Sequence, residues 1–378
     1  MSSSAWQIRP TPSQSWRSLS ALENLYLNTS VPVPSADELG PETVLVRIRA
    51  AALNARDAIV VAHAPSHSRL LHKSKNHRVT ESPPPRRDGA GEVFATGPNS
   101  KWKVGDRVFI CPLSWDDEET QGVPTLEQAK PKGAGNVQGT LRTWAVLADN
   151  ELLPAPPHLT FEEVAALPCA AGTAMNALMF GPLKMKPGMT VLTMGTGGVS
   201  CAAIQLASAL GCTVISTSSS DSKLSQALSL GATHTINYTS TPDWDEEVLH
   251  LTDGKGVDHV LDVGGSATLE KSLRAVRRGG LVSCIGFLGE TKTTVSGDGE
   301  SMMQGDEVGQ LVMSVIGGAK IIRGIYGIYK THCKALLELV NKYEIHPLIA
   351  EVFEFGDAKM AFERIMRREV VGKVVVRV

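Results

Sequence analysis

The chain has 378 residues, 42% of them hydrophobic and 20% charged, with a formal net charge of −2. That length and apolar content suffice for two domains with separate cores, and the near-neutral balance excludes the electrostatic footprint of a nucleic-acid binder. No apolar run reaches the length of a membrane span, and the opening MSSSAWQIRPTPSQSW lacks the apolar stretch of a secretory signal. The six cysteines (Cys111, Cys169, Cys201, Cys212, Cys284 and Cys333) are scattered and form no CxxC pair. Such usage fits a reducing compartment better than a disulfide framework, so a soluble cytoplasmic protein is expected.

In chain order, residues 1–157 read as β-rich. ETVLVRIRAAALN, GAGEVFATG, GDRVFICP and LRTWAVLAD are short apolar runs separated by Gly, Pro and Asp. Residues 63–87 and 114–136 read as long loops, the first basic and proline-rich. FEEVAALPCAAGTAMNALMF then has a helical period, broken where Pro168 must end or kink the first helix. Strands and helices alternate from there: MTVLTM, GGVSCAAIQLASAL, TVIST, DSKLSQALSL, THTIN, PDWDEEVLHLT, DHVLDV, ATLEKSLRAVRR and LVSCIG, with KIIRGI as a sixth strand. Nearly continuous apolar strands alternating with helices predict an α/β fold with a parallel sheet covered on both faces. The tail returns to short strands, EVFEF and KVVVRV, around a helix, and is expected to rejoin the first domain.

The run Gly195, Thr196, Gly197, Gly198, Val199, Ser200 follows a strand and opens a helix. Gly195 suits a tight turn, and Gly197 lets the backbone approach a pyrophosphate. The helix N-terminus offers free N–H groups and partial positive charge. Ser200 takes the third small position. In that context the motif predicts dinucleotide binding. About 20 residues on, an NAD site places an acid on the ribose 2′-hydroxyl. Here the next strand ends in Ser218, Ser219 and Ser220, followed by Lys223. Hydroxyls and an ammonium suit a 2′-phosphate, so NADP(H) is expected over NAD(H). Asp221 is the one unfavourable charge nearby, and the serines also suit an N-cap.

These residues, with LNARDAIV, DGAGEV, KVGDRV, LPCAAGTAMNAL, TSSSDSKL, LGATHTINY, GKGVDHVLDVGG and GKVVVRV in order, resemble the medium-chain dehydrogenase/reductase superfamily. The similarity is to its zinc-lacking alcohol dehydrogenase-like and quinone oxidoreductase-like branch. It implies a GroES-like β-barrel catalytic domain (1–157), a Rossmann doubly wound parallel sheet (158–328), a return to the catalytic domain (329–378), a substrate cleft and a homodimer. Zinc members carry Cys where this sequence has Asn54, and His-Glu where it has Arg87 and Asp88. Only Cys169 falls on a ligand position, too few for catalytic zinc. His63 and His67 are split by Pro65 and read as loop histidines.

The resemblance also suggests roles. Asn54 is placed to hydrogen-bond a substrate carbonyl, or is a turn-forming residue. Asp57 orients Asn54, relays a proton or caps a helix. Thr173 is expected against the nicotinamide. Tyr238 lies near the adenosine phosphate or is a surface aromatic. Val263, Ile285, Gly286 and Phe287 end strands at the carboxyl side of the sheet, where such folds bind ligands. Lys373 reaches the cofactor or is solvated, and Cys169 is a small buried thiol. The loop 63–87 departs most from that branch, and its basic residues Arg69, Lys73, Lys75, Arg78, Arg86 and Arg87 attract an anionic or carrier-bound substrate or decorate a solvated loop. The expected activity is NADP(H)-dependent, zinc-independent hydride transfer to an activated C=C in a small molecule. Carbonyl reduction on the same scaffold, or a nucleotide-binding protein without redox turnover, regulatory or cyclase-like, are the alternatives.

Overall fold

The computed structural model describes residues 3–9, 15, 17–62, 88–113, 115, 124, 132, 139–286 and 305–378. The chain divides into two compact units, 1–172 with 327–378 and 173–326. In the first, the strands are β1 (Ser3–Ile8), β2 (Leu25–Val31), β3 (Thr43–Ala52), β4 (Asp88–Thr96), β5 (Arg107–Ile110), β6 (Trp144–Ala148) and β7 (Leu152–Pro154), with α1 (Ala55–Val61) after β3. Helices α2 (Phe161–Ala166) and α3 (Ala170–Met179) follow. The second unit continues with β8 (Thr190–Met194), α4 (Gly198–Ala209), β9 (Thr213–Ser218), α5 (Asp221–Ser229), β10 (His234–Asn237), α6 (Trp244–Leu251) and β11 (Val257–Asp262). It ends with α7 (Leu269–Ala275), β12 (Val276–Cys284), α8 (Gly305–Gly318) and β13 (Ile321–Gly324). The tail supplies α9 (Lys330–Tyr343), β14 (Ile349–Glu354), α10 (Ala358–Met366) and β15 (Lys373–Arg377).

The first unit is built on a seven-stranded sheet in the order β14-β15-β3-β4-β5-β7, with β6 also paired to β3. The tail therefore enters this sheet directly, β15 lying antiparallel to β3 with Val375 opposite Ala52. Alternation along β3 and β4 sends Val44, Val46, Ile48 and Val93 into one core with Val108, Ile110 and Leu152. Residues 158–172, expected to open the second domain, stay with this unit. Thr160 caps α2 by accepting from the Glu163 N–H at 3.2 Å, and the helix packs on β3, β4 and β15. The β1–β2 hairpin adds a pair of strands beyond the runs picked out in the sequence.

The second unit holds a six-stranded sheet in the order β10-β9-β8-β11-β12-β13, all pairs parallel. The order reverses between β8 and β11, the switch point of a doubly wound fold. Leu192, Ile215, Val260 and Val282 pack against Trp244, Val248 and Leu273 of the covering helices. One expectation is corrected: the helix ATLEKSLRAVRR stops at Ala275, and Val276–Arg278 open β12. Gly279 at φ +70° and Gly280, where a Cβ would sit 2.9 Å from the Asp258 carbonyl, hold that strand against β11. Among the described residues no helix is long and apolar enough to cross a membrane.

Candidate functional site

In the second unit, β8 runs into Gly195 at φ +69°, a conformation that only glycine adopts without strain. Gly197 differs. It is the N-cap of α4 at φ −77° and ψ 177°, which any residue adopts. A Cβ built there meets no atom of the described residues within 4 Å, and the residue is exposed. Neither local backbone nor the packing around it requires glycine at 197. A pyrophosphate lying against the opening turn of α4, whose first N–H groups have no intrahelical acceptor, would require it. Ser200 explains its own place in the motif: its hydroxyl donates to the Met194 carbonyl at 2.6 Å and ties α4 to β8. Thr196 is buried beside it, and Gly198 and Val199 form the first turn.

At the end of β9, Ser218 is buried and its carbonyl accepts from the Tyr238 N–H at 3.0 Å. Ser219 is exposed, and Ser220 Oγ pairs with Ser222 Oγ at 2.8 Å. The carboxylate of Asp221 is engaged by Asn237, whose Nδ2 donates to it at 2.7 Å. Sequence reading missed Asn237, which lies 16 residues further on across a parallel strand pair. Lys223 has no ion-pair partner among the described residues, and Tyr238 is exposed. At the carboxyl ends of β11 and β12, the Ile285 and Gly286 N–H groups both donate to the Asp262 carbonyl, at 2.8 and 3.1 Å. A Cβ on Gly286 would lie 1.8 Å from the Val263 carbonyl, so these two chain segments approach as only glycine allows. The Asp262 carboxylate accepts from the Gly264 and Gly265 N–H groups and from the Thr268 and Ser272 hydroxyls, which fixes the loop after β11. Thr173 lies buried in α3. Phe287 and the basic residues between 63 and 87, with His63 and His67, lie outside the described residues.

In the first unit, three strand ends meet. Asp88 opens β4 opposite Ala52, and continuing the β15–β3 register brings Lys373 level with Asn54. Lys373 is 5% exposed and Asp88 is fully buried. The Lys373 ammonium donates to the Leu53 carbonyl at 2.7 Å, to Asn54 Oδ1 at 2.7 Å and to Asp88 Oδ2 at 3.3 Å. Asn54 Nδ2 donates to the same Asp88 oxygen at 2.9 Å. Three acceptors use the whole donor capacity of an ammonium. Lys373, expected either to reach a cofactor or to be solvated, is spent inside its own unit. Burial pushes the Asp88 carboxyl above its ordinary range, against the pull of Lys373, Asn54 and the Cys169 backbone N–H. Among the described residues no hydrogen bond of good geometry reaches Asp88 Oδ1.

Asp57 takes the capping role. Its Oδ2 accepts from the Asn54 backbone N–H at 2.8 Å, which leaves the Asn54 side chain to Lys373 and Asp88. Cys169 is partly exposed as a residue, yet desolvation of its sulfur, with the charge of Asp88, pushes the thiol up to about 12. This donor set does not fit zinc. Of the described groups at the ligand positions only Cys169 is a usual zinc ligand, and the Lys373 ammonium lies against both the Asn54 amide oxygen and the Asp88 carboxylate, where a cation would have to sit. Among the described residues no group of three or more His, Cys, Asp or Glu side chains is arranged around a metal position.

Residues 40–157 match the family described as alcohol dehydrogenase GroES-like domain, and residues 198–324 that described as zinc-binding dehydrogenase. A zinc-type alcohol dehydrogenase-like protein of Schizosaccharomyces pombe is 36% identical over 345 residues, covering 90% of this chain and 92% of its own. The chain belongs to the medium-chain dehydrogenase/reductase superfamily. Its fold is the α/β pair of that superfamily, a GroES-like domain and a Rossmann-like parallel sheet, and its relatives are oxidoreductases. A 2-haloacrylate reductase from a Burkholderia species is 32% identical over 301 residues, covering 76% of this chain and 79% of the relative. Two solved structures each superpose with a TM-score of 0.79 over 100% of this chain. One, an NAD-dependent alcohol dehydrogenase, is 30% identical and fully covered. The other, a 2-octenoyl-CoA carboxylase reductase in complex with NADP and 2-octenoyl-CoA, is 25% identical and 87% covered.

Proposed function

We propose that this protein is an NADP(H)-dependent, zinc-independent reductase of activated C=C bonds, acting as a homodimer. The observation that carries the reading is the Lys373 ammonium bonded to Asn54 and Asp88, where zinc-bearing relatives assemble their metal. Polarising an isolated ketone calls for a strong electrophile, which a metal ion supplies. An enone, enoyl ester or quinone spreads its developing charge onto a conjugated oxygen, where hydrogen-bond donors suffice. When bound, the nicotinamide cofactor supplies the hydride. Asn54 offers an amide N–H to the substrate oxygen, and the buried Asp88–Lys373 pair keeps that amide in place. Gly195, Gly197, Gly198 and Val199 cradle the pyrophosphate. Ser218, Ser219 and Lys223 favour a 2′-phosphate, while Asn237 engages the one carboxylate that would oppose it. The 2-haloacrylate and 2-octenoyl-CoA reductases among the relatives support the C=C reading. The NAD-dependent relative makes the coenzyme a matter for measurement.

The test is coenzyme oxidation with enones, enoyl thioesters, quinones, aldehydes and ketones, with and without a zinc chelator. Turnover is expected with NADPH and conjugated acceptors, unaffected by chelation, with NADH at least about tenfold weaker. Aldehyde turnover abolished by the chelator would establish carbonyl reduction instead. Tight NADPH binding with no turnover on any acceptor would point to a non-redox role.

The homodimer reading rests on α8 and β13. Leu311 and Val315 of α8 pack on the core, yet Val312, Met313 and Ile316 on its other side are exposed. A helix apolar on both faces calls for a second covering surface. Beside it β13 ends the sheet, with its outer edge unpaired among the described residues and Ile322 exposed. Met313→Glu with Ile316→Glu is expected to convert a dimer to a folded monomer in light-scattering chromatography. A monomeric wild type would overturn this part of the reading.

A further inference from the structure

We infer that Asp88 and Lys373 are positioning residues that lock the Asn54 carboxamide with its oxygen on the ammonium and its nitrogen on the carboxylate, leaving one amide N–H to receive a substrate oxyanion. The inference rests on the reading of Asn54 as the substrate-facing donor and extends it to two residues for which sequence offered no such role.

The orientation follows from chemistry. An ammonium only donates and a carboxylate only accepts. The Asn54 atom 2.7 Å from Lys373 Nζ is therefore the oxygen, and the atom 2.9 Å from Asp88 Oδ2 is the nitrogen. A flipped amide would put an N–H against an ammonium and a carbonyl against a carboxylate. One of the two Nδ2 hydrogens is used on Asp88, and among the described residues the other has no acceptor. Asn54 is only partly buried, while Asp88 and Lys373 lie beneath it. Asn54 is thus the least buried member of this polar chain. An ammonium on its carbonyl draws electron density from the nitrogen and strengthens the remaining N–H as a donor. Asp57 fixes the same residue from the backbone side, so side chain and main chain are held independently. Among the described residues the titratable and charged groups near this amide include Asp57 and Arg56 on α1, Asp88 on β4, Cys169 before α3 and Lys373 on β15. A carboxylate and an ammonium buried together are costly to desolvate and seldom retained for stability alone. Fixing the direction of one amide gives the pair a use.

The first test needs no substrate. With asparagine side chains labelled with 15N, the Asn54 amide signals are those lost in Asn54→Ala. In the wild type one Nδ2 proton is expected to exchange with water at least about tenfold more slowly than in exposed asparagines. In Lys373→Met, that protection and the distinctive shifts are expected to vanish while the far-ultraviolet spectrum stays folded. Unchanged Asn54 signals in Lys373→Met would overturn the inference. Should that variant not fold, Asn54→Asp decides. It keeps an acceptor for Lys373 but loses the donor unless protonated. Its kcat is expected to fall about a hundredfold at neutral pH with KM within about threefold, and to recover along a new acid-side limb. A purely structural role would produce no such limb. If no acceptor supports turnover in the wild type, the functional reading fails, while the amide signals still decide the orientation.

Discussion

Replacing Gly197 by valine is expected to remove nucleotide binding and leave the fold in place. Two kinds of glycine stand in this chain's turns, and Gly197 is neither strained nor crowded. Its φ of −77° and ψ of 177° suit a β-branched residue, and no atom of the described residues lies within 4 Å of the added Cβ. The folding cost is that of a poorer N-cap, about 1 kcal/mol, so the melting temperature should drop by only a few degrees. A pyrophosphate approaching the first turn of α4 would meet the new methyl groups directly. Calorimetry with NADPH should show affinity lower by about a hundredfold or more, a difference of about 2.8 kcal/mol. Gly286→Ala is the contrasting control: its Cβ would overlap the Val263 carbonyl at 1.8 Å, so there the fold itself should suffer. If Gly197→Val kept its NADPH affinity within about threefold, the cradle would not be where this chain holds a nucleotide.

The second large effect is on stability. Lys373→Met strands a fully buried carboxylate whose chief favourable partner has been removed. Breaking a buried pair in this way costs about 3–5 kcal/mol, to be measured by urea unfolding near pH 7. Burial already raises the Asp88 pKa in the folded protein, and loss of the ammonium raises it further. For an acid with a raised folded-state pKa, the stabilising contribution is fully present below the unfolded value of about 3.9 and is lost as pH rises through the folded value. The deficit of Lys373→Met relative to wild type should therefore be smallest near pH 4 and grow toward neutrality. A deficit that grew toward acid, or no deficit at pH 7, would mean that Asp88 is not the buried charge that Lys373 neutralises.

Much of the nucleotide-binding unit is legible in the residues themselves. Val, Ile and Leu runs alternating with helical periods mark strands buried on both faces, and β8 to β13 lie where those runs lie. Gly195 can be read because a tight turn is a local demand of the backbone, and Gly197 because it opens a helix directly after that turn. Reading fails where local signals compete. In ATLEKSLRAVRR the helical charge pattern continues past Ala275, but β-branched Val276 and pairing with β11 draw the last residues into β12.

The polar contacts are not legible in that way. Asn54, Asp88 and Lys373 come from three separate strand ends, and no period in the sequence links residues 54, 88 and 373. The β3–β4 and β3–β15 registers bring them together. Asn237 reaches Asp221 only because β10 lies beside β9. A hydroxyl at position 200 reads as a departure from a motif until its bond to the Met194 carbonyl is seen. Most element types and buried faces follow from interactions between near neighbours in the chain, so apart from stretches such as Val276–Arg278 the sequence alone determined them. Which carboxylate meets which ammonium depends on strand order and register, which are settled by burial summed over a whole sheet, and only the tertiary structure decided that.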